Sequence, residues 1–240
     1  MNQTAERGGR LSAFARREWP HWLVLLGLFA ASAWAWGRVT PPIPTHWNAR
    51  GEVDGTGGRF EGLLLVPLIA LGVYVLLLVL PRIDPGRANY ASFSGAYGVM
   101  RAALTVLMAA MHALLLATAL GYAVDAGRWI PVGVGVLLIV MGNVMGKVRP
   151  NYFVGIRTPW TLASARSWEK THRLGGRLFV VGGVLLAGAA ILGRPEVLAA
   201  VGVFGVVSLL WLVYVSWREW RDDPERVPVT GTRPAGSEER

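Results

Sequence analysis

The 240-residue sequence contains no cysteine, which excludes disulfides, thiolate metal centres and cysteine nucleophiles. Charge is scarce as well: 16% of the residues are charged, against about 25% in soluble chains. Lysine is almost missing, with Lys147 and Lys170 standing beside 22 arginines, a bias of codon usage rather than of chemistry. None of the 15 acidic residues lies inside an apolar run; all sit in tails, loops or at run edges. Cation-coupled carriers keep a carboxylate at membrane depth, so its absence argues against one. The HExxH, GxSxG and CxxC patterns are absent. Gly146-Lys147 lacks the rest of a phosphate loop, and the Asp54 turn lacks the alternating carboxylates of an EF-hand. Catalysis therefore has no positive support, and no cofactor is expected.

What the chain does have is apolar mass. Hydrophobic residues make up 53% of it, and the mean hydropathy is +0.41. That is too much to hide in one small core and too much for a disordered chain, which leaves an integral membrane protein. Apolar segments run over Trp22–Trp36, Gly62–Leu80, Ala102–Val124, Trp129–Gly146, Leu178–Gly193 and Val197–Trp217. A spanning helix needs roughly 20 such residues, so the first and fifth must recruit their flanks. Trp19, Trp22, Trp34, Trp36, Trp129, Trp211 and Trp217 cluster at segment ends, as interfacial aromatics do.

The basic residues set the orientation. Four lie in the N-terminal tail (Arg7, Arg10, Arg16, Arg17) and three in the second loop (Arg82, Arg87, Arg101). Seven more lie between Lys147 and Arg177, and five between Arg218 and Arg240. The first, third and fifth loops hold only Arg38, Arg50, Arg59, Arg128 and Arg194. A 19-to-5 asymmetry that alternates at every crossing places both termini in the cytoplasm. Because the cations flank apolar runs, the net charge of +9 points to membrane lipids and not to direct nucleic-acid binding. A competing reading makes Arg16-Arg17, the following run and Ala31-Ser32-Ala33 a cleaved signal peptide. The run continues through Trp34–Trp36, which argues for a retained span.

The expected fold is thus an all-α integral membrane protein with six transmembrane helices, both termini cytoplasmic, and a short interfacial helix between spans four and five. Residues 1–20 form a basic tail, 21–80 a first helical hairpin and 81–217 a four-helix membrane region. Residues 218–240 form a cytoplasmic tail read as disordered from its Pro, Gly, Ser and Glu content. Gly142 with Gly146, and Gly183 with Ala187, have the spacing of packing notches between membrane helices. His112 falls near the middle of the third span, where it is either a neutral hydrogen-bonded imidazole or a relay or ligand contact. Asn143 is the other intramembrane polar candidate. It differs from His112 in depth by roughly 10 Å at 1.5 Å per residue, too far for a direct bond. Arg101 can snorkel to the surface.

Two loops carry information. The first, expected outside, reads Pro41-Pro42-Ile43-Pro44-Thr45-His46-Trp47-Asn48, then Gly51, Val53, Asp54 and Gly55. It either forms a small cap presenting His46, Trp47, Asn48 and Asp54 to a ligand, or Asn48 and Asp54 serve their own turns. One His and one Asp are too few for a metal site. The second, expected inside, runs from Asn143 through Asn151, Arg157 and Thr158-Pro159-Trp160 to His172-Arg173. Thr158 with Pro159 is a helix start. Pro159–Leu174 then aligns Trp160, Ser164, Trp168 and Thr171 on one stripe ringed by Arg166, Lys170, Arg173 and Arg177. That stretch is either an interfacial helix in the headgroup layer or a surface for an anionic group or cytoplasmic protein.

The block over 142–176, GNxMGKxRPNYFxGIRTPWTLxS followed by WxKTHRxGG, resembles the signature of the SdpI family of bacterial multi-pass membrane proteins. The PxIPTHWNxxGxxDG stretch resembles a domain of unknown function that often precedes it. The resemblance implies immunity to a secreted peptide toxin, as in the family's founding member, which also signals by holding a cytoplasmic repressor at the membrane. His46, Trp47, Asn48 and Asp54 then become candidates for a toxin-facing surface. Asn151, Arg157, Trp160, Thr171, His172 and Arg173 become candidates for partner docking. A binding protein, not an enzyme, is expected. The alternatives are a small transporter or channel using His112, and a lipid-acting enzyme using Arg157 and His172.

Overall fold

The computed structural model describes residues 3–48 and 50–229. It contains helix α1 (Gln3–Ala35), strands β1 (Ile43–Trp47) and β2 (Val53–Gly57), and a π-turn (Phe60–Leu64) leading into α2 (Leu65–Ile83). A 3-10 turn (Arg87–Phe93) leads into α3 (Ser94–Ala119), followed by α4 (Ala126–Met145), α5 (Pro159–Leu162), α6 (Ala165–Ile191) and α7 (Pro195–Arg221). Among the described residues, five stretches are long and apolar enough to cross a membrane: Phe60–Ile83, Arg87–Ala119, Ala126–Met145, Ala165–Ile191 and Val197–Arg221. The expected first span, Trp22–Trp36, coincides with the last part of α1 and ends one residue beyond it, but α1 is not one of the five.

The chain divides into two compact units. One comprises the chain up to Val75 together with Leu104–Ile130. Its apolar core joins Ala35, Val39, Ile43, Leu63, Leu115 and Leu116, with Trp47 packed against it. The expectation of an all-α protein fails here, because β1 and β2 pair antiparallel, Ile43 opposite Gly57 and Trp47 opposite Val53. Proline and glycine hid this hairpin from periodicity; burial of Ile43 and Trp47 on the helical core drives it. The Asn48 side chain accepts from the backbone N–H groups of Arg50 and Glu52 and so closes the turn. Gly51, at φ +78°, lets that turn approach Gly127, where a Cβ would lie 2.7 Å from the backbone.

The second unit comprises Leu76–Ala103 and the chain from Pro131. Its core holds Tyr90, Phe93, Tyr97, Met100, Val144, Val148 and Trp168. Here the glycine notches act as expected, although with different partners. A Cβ on Gly135 would lie 2.7 Å from the Gly183 carbonyl oxygen, and one on Gly142 would lie 2.5 Å from that of Gly176. A Cβ on Gly146 would make only ordinary contact with Arg173 among the described residues, 3.5 Å from its side chain and 3.9 Å from its Cα. The α4–α6 contact is thus backbone against backbone at two places seven residues apart. Gly142→Val is expected to lower stability by about 1–3 kcal/mol through overpacking, read as a lower thermal transition of the purified protein. Gly72→Val, where a Cβ meets nothing within 4 Å, is the neutral control. An equal shift in both variants contradicts this packing.

The expected interfacial helix over Pro159–Leu174 is also corrected. Thr158 caps only the four residues of α5, and Ser164, in extended conformation, accepts from Ser167 N–H to start α6. Two N-caps six residues apart split the segment into a stub and a new helix. The predicted stripe does not face headgroups either: Ser167, Trp168 and Thr171 are each at most 2% exposed.

The tail differs from expectation as well. Residues 218–221 continue α7. Beyond them, Val227 N–H donates to the Ala163 carbonyl and Trp220 Nε1 donates to the Val227 carbonyl. The remainder of that tail, 230–240, lies outside the described residues. Several acidic groups that read as peripheral are buried: Glu18, Asp84, Glu219 and Asp223. Arg101, expected to snorkel, is buried too.

Candidate functional site

The loop between α4 and α5 is built around three buried side chains. Asn151, 1% exposed, uses its whole amide. Its Nδ2 donates to the carbonyls of Arg149 and Val154, both at 2.9 Å, and its Oδ1 accepts from Phe153 and Val154 N–H. Asp84, 1% exposed just after α2, accepts from Tyr90 Oη at 2.9 Å, Gly86 N–H at 2.6 Å and Tyr152 N–H at 3.1 Å. Asn89 Nδ2 adds a bond to the Pro150 carbonyl at 2.7 Å. The turn after α2 and the loop after α4 are therefore tied together.

His172 ties the same loop to α6. The Ile156 N–H can only donate, so His172 Nε2 accepts it at 2.9 Å. Nδ1 therefore carries the proton and donates to the Trp168 carbonyl at 2.8 Å. This fixes a neutral Nδ1–H imidazole, stacked on the Trp168 ring at 4.1 Å. Trp168 Nε1 in turn donates to the Val148 carbonyl. Gly155, at φ +111°, passes so close that a Cβ there would meet His172 Nε2. His172 and Thr171 are 0% exposed, and the Thr171 hydroxyl has no hydrogen-bond partner among the described residues. The structure thus separates the predicted docking set. Asn151, Thr171 and His172 are interior, Trp160 is half-buried, and Arg157 and Arg173 are exposed. Arg157 Nη1 donates to the Tyr152 carbonyl, while Arg173 pairs with Glu169 one turn away.

The C-terminal end of α7 closes the far side of α5 and α6. Ser167 Oγ donates to the Ser216 carbonyl, and Thr158 Oγ1 bonds Ser216 Oγ at 3.0 Å. Buried Glu219 gathers Arg218 at 2.8 Å, Arg166 at 3.0 Å and Lys170 at 3.4 Å. The Ser164 hydroxyl donates to Asp223, and that bond holds the Asp223 carboxyl below its usual value. Its contribution is therefore complete above the ordinary carboxylate range and is lost as the pH falls through the depressed value. Nothing in the sequence marked Ser216, Glu219 or Asp84 as members of this site. The Asp84 bond to Tyr152 spans 68 residues of the chain.

In the first unit, His46 Nδ1 and Asp54 Oδ1 meet at 2.5 Å across the hairpin, with side chains 71% and 42% exposed. Asn48 serves its own turn, as one of its two readings had it, and Trp47 serves the core. His112, 1% exposed, meets Ser32 Oγ through Nε2 at 3.0 Å. Ser32 also reaches the Leu63 carbonyl at 2.5 Å, where the π-turn gives way to α2. The hydroxyl proton goes to a carbonyl, that of Leu63 or that of Leu28 at 3.0 Å, so Nε2 donates to Ser32 and, among the described residues, His112 Nδ1 has no hydrogen-bond partner. Among the described residues, Asn143 bonds only the Ile139 carbonyl of its own helix. Among the described residues, no cluster of three or more His, Asp or Glu is arranged to hold a metal ion.

Residues 147–216 match the SdpI/YfhL protein family, and residues 23–71 match the domain of unknown function DUF1648. No solved structure matches. A relative, "Immunity protein SdpI" of Bacillus subtilis (strain 168), is 30% identical over 145 residues, covering 60% of this chain and 67% of the relative. The 147–216 match runs from the loop that Asn151, Trp168 and His172 hold together to the Ser216 contact that closes it, and the chain belongs to the SdpI family of membrane proteins.

Proposed function

We propose that this protein confers immunity to a secreted peptide toxin and relays toxin binding to a cytoplasmic regulator. It does so as a six-span inner-membrane protein with both termini inside, α1 supplying the sixth span. The observation that carries the reading is the 30% identity to an immunity protein over 145 residues. The exposed His46–Asp54 pair, on a hairpin rooted in a helical core, supports a toxin-facing role for that loop. Half-buried Trp160 and exposed Arg157 and Arg173 then serve the regulator, while Asn151, Thr171 and His172 shape the loop that presents them. Coupling requires that toxin bind one packing of the helices more tightly than another, and that the regulator distinguish the same two states.

The test is survival of a toxin-sensitive bacterium expressing the protein and challenged with secreted membrane-active peptides. Protection is expected from the native protein, with loss of about tenfold or more, or 1.4 kcal/mol of binding, in His46→Ala and Asp54→Ala at equal membrane abundance. An exposed pair contributes about 0–1 kcal/mol to stability, so these variants fold. Full protection in both removes the hairpin from the toxin-binding role. Toxin affinity that is identical with and without a bound cytoplasmic regulator removes the relay.

A further inference from the structure

We propose that the turn 84–89 and the loop 147–158 together form a docking surface for the anionic phospholipid headgroups of the protein's own membrane. Arg87, Lys147, Arg149 and Arg157 supply the charge. The proposal shares Arg157 with the regulator reading but does not rest on it.

Three observations converge on this end of the second unit. The first is charge without neutralisation. Arg87, Lys147, Arg149 and Arg157 are all exposed, and among the described residues none of them forms an ion pair. Cations of α6 and α7 are treated differently: Arg166, Lys170 and Arg218 converge on Glu219, and Arg173 takes Glu169. Asp84, in the same turn as Arg87, is buried and already accepts from Gly86, Tyr90 and Tyr152. The surface is therefore positive with no internal counter-charge.

The second is rigidity. Asp84, Asn89, Asn151 and His172 together pin Gly86, Pro150, Phe153, Val154 and Ile156 through backbone bonds. Arg157 is itself anchored by Nη1 to the Tyr152 carbonyl, which leaves the other edge of its guanidinium for an oxyanion. A fixed planar fork suits a phosphate better than a mobile ammonium does.

The third is aromatic exposure at the level of the bilayer surface. Tyr152 and Phe153 are 53% and 39% exposed although the backbone beneath them is held. They lie in the loop that follows α4, a helix long and apolar enough to span, and the turn bearing Arg87 follows α2, which is likewise long enough. Exposed Tyr and Phe interleaved with arginines at the ends of spanning helices match the headgroup layer, where rings meet acyl chains and cations meet phosphate. An acidic protein would answer the charge, but it gives no reason for this depth.

The experiment uses the full-length protein in phosphatidylcholine vesicles with a minor fraction of phosphatidylglycerol. Electron paramagnetic resonance measures the relative association of spin-labelled phosphatidylglycerol and phosphatidylcholine. The native protein is expected to favour phosphatidylglycerol by about fivefold or more, the factor that one cation near an anionic surface supplies. The Arg87→Gln/Arg149→Gln/Arg157→Gln variant should bring that ratio close to unity with an unchanged thermal transition. Its Lys counterpart at the same positions should retain most of the preference. Tyr152→Ala/Phe153→Ala should weaken it with all charges in place. An Arg50→Gln/Arg59→Gln/Arg128→Gln variant, which removes equal charge from the other unit, should keep it. A native protein without preference, or a preference that survives the Gln variant, overturns the proposal. Displacement of the lipid by millimolar inorganic phosphate overturns it in favour of a free-phosphate site. Loss of poly-glutamate binding with intact lipid preference overturns it in favour of a protein dock.

Discussion

Replacing Asp84 by alanine is expected to destabilise the protein by about 3–5 kcal/mol, the largest effect of any single polar substitution in the loop. The carboxylate is 1% exposed and accepts from three donors on different parts of the chain: Gly86 N–H, Tyr90 Oη and Tyr152 N–H. Each donor stranded in the interior forfeits about 1–3 kcal/mol, and water can reach some of them, so the sum falls short of the maximum. Asp84→Asn keeps one acceptor oxygen and turns the other into a donor facing donors, so a loss of about 1–2 kcal/mol is expected. The measurement is reversible unfolding of purified protein in mixed micelles, paired with hydrogen exchange at Tyr152 and Gly86. The alanine variant should unprotect both amides while those of α6 stay protected. Equal stability of native, Asn and Ala proteins would show that Asp84 is not the tie between the two segments.

Truncating His172 is expected to be nearly as damaging, about 3–4 kcal/mol for His172→Ala. The substitution removes a buried ring and leaves a cavity beside Trp168, and it strands the Ile156 N–H. His172→Phe separates these contributions. It keeps the volume and the stacking but offers no acceptor to Ile156, so about half of the loss should remain. Gly155 supplies a further check, because its Cβ would collide with His172 Nε2 while its φ of +111° disfavours any side chain. Gly155→Ala should therefore be less harmful in the His172→Ala background than in the native protein, though still costly from backbone strain. Strict additivity of the two substitutions would contradict the contact. Both His172 variants should also lose protection against toxin if the loop couples binding to a regulator, while Arg157→Gln should lower relay without unfolding.

His172 also shows where reading residues alone stopped. As a sequence position it sat beside Arg173 in a basic, helical block and looked like part of a cationic surface. The fold makes it a neutral imidazole whose two nitrogens are both spent on backbone groups, 16 residues apart in one case and four in the other. Thr158 was visible as a helix start, but Ser164 was read as a stripe residue inside the same helix, and only the structure showed that it caps a second helix and so divides the segment. His46 and Asp54 were picked for their chemistry and are in fact paired. Asn48 proved to be turn architecture. Tyr152 and Phe153 passed unnoticed, because exposure of an aromatic is a property of the folded surface and not of the residue.

Composition and apolar run length by themselves determined that this is a helical membrane protein and where five of its long apolar helices lie, and a resemblance in short motifs marked the block that carries the family signature. Those features depend on local sums: transfer free energy over some 20 residues and the identity of short motifs. The hairpin, the break between α5 and α6, the folded-back segment after α7 and the burial of Asp84, Asn151 and His172 were decided only by tertiary structure. Each depends on which distant donor meets which acceptor. The partner of Asp84 lies 68 residues away at Tyr152 and that of Thr158 lies 58 residues away at Ser216. In a buried polar site the energy resides in such pairs, because an unmade bond costs more than a made one gains.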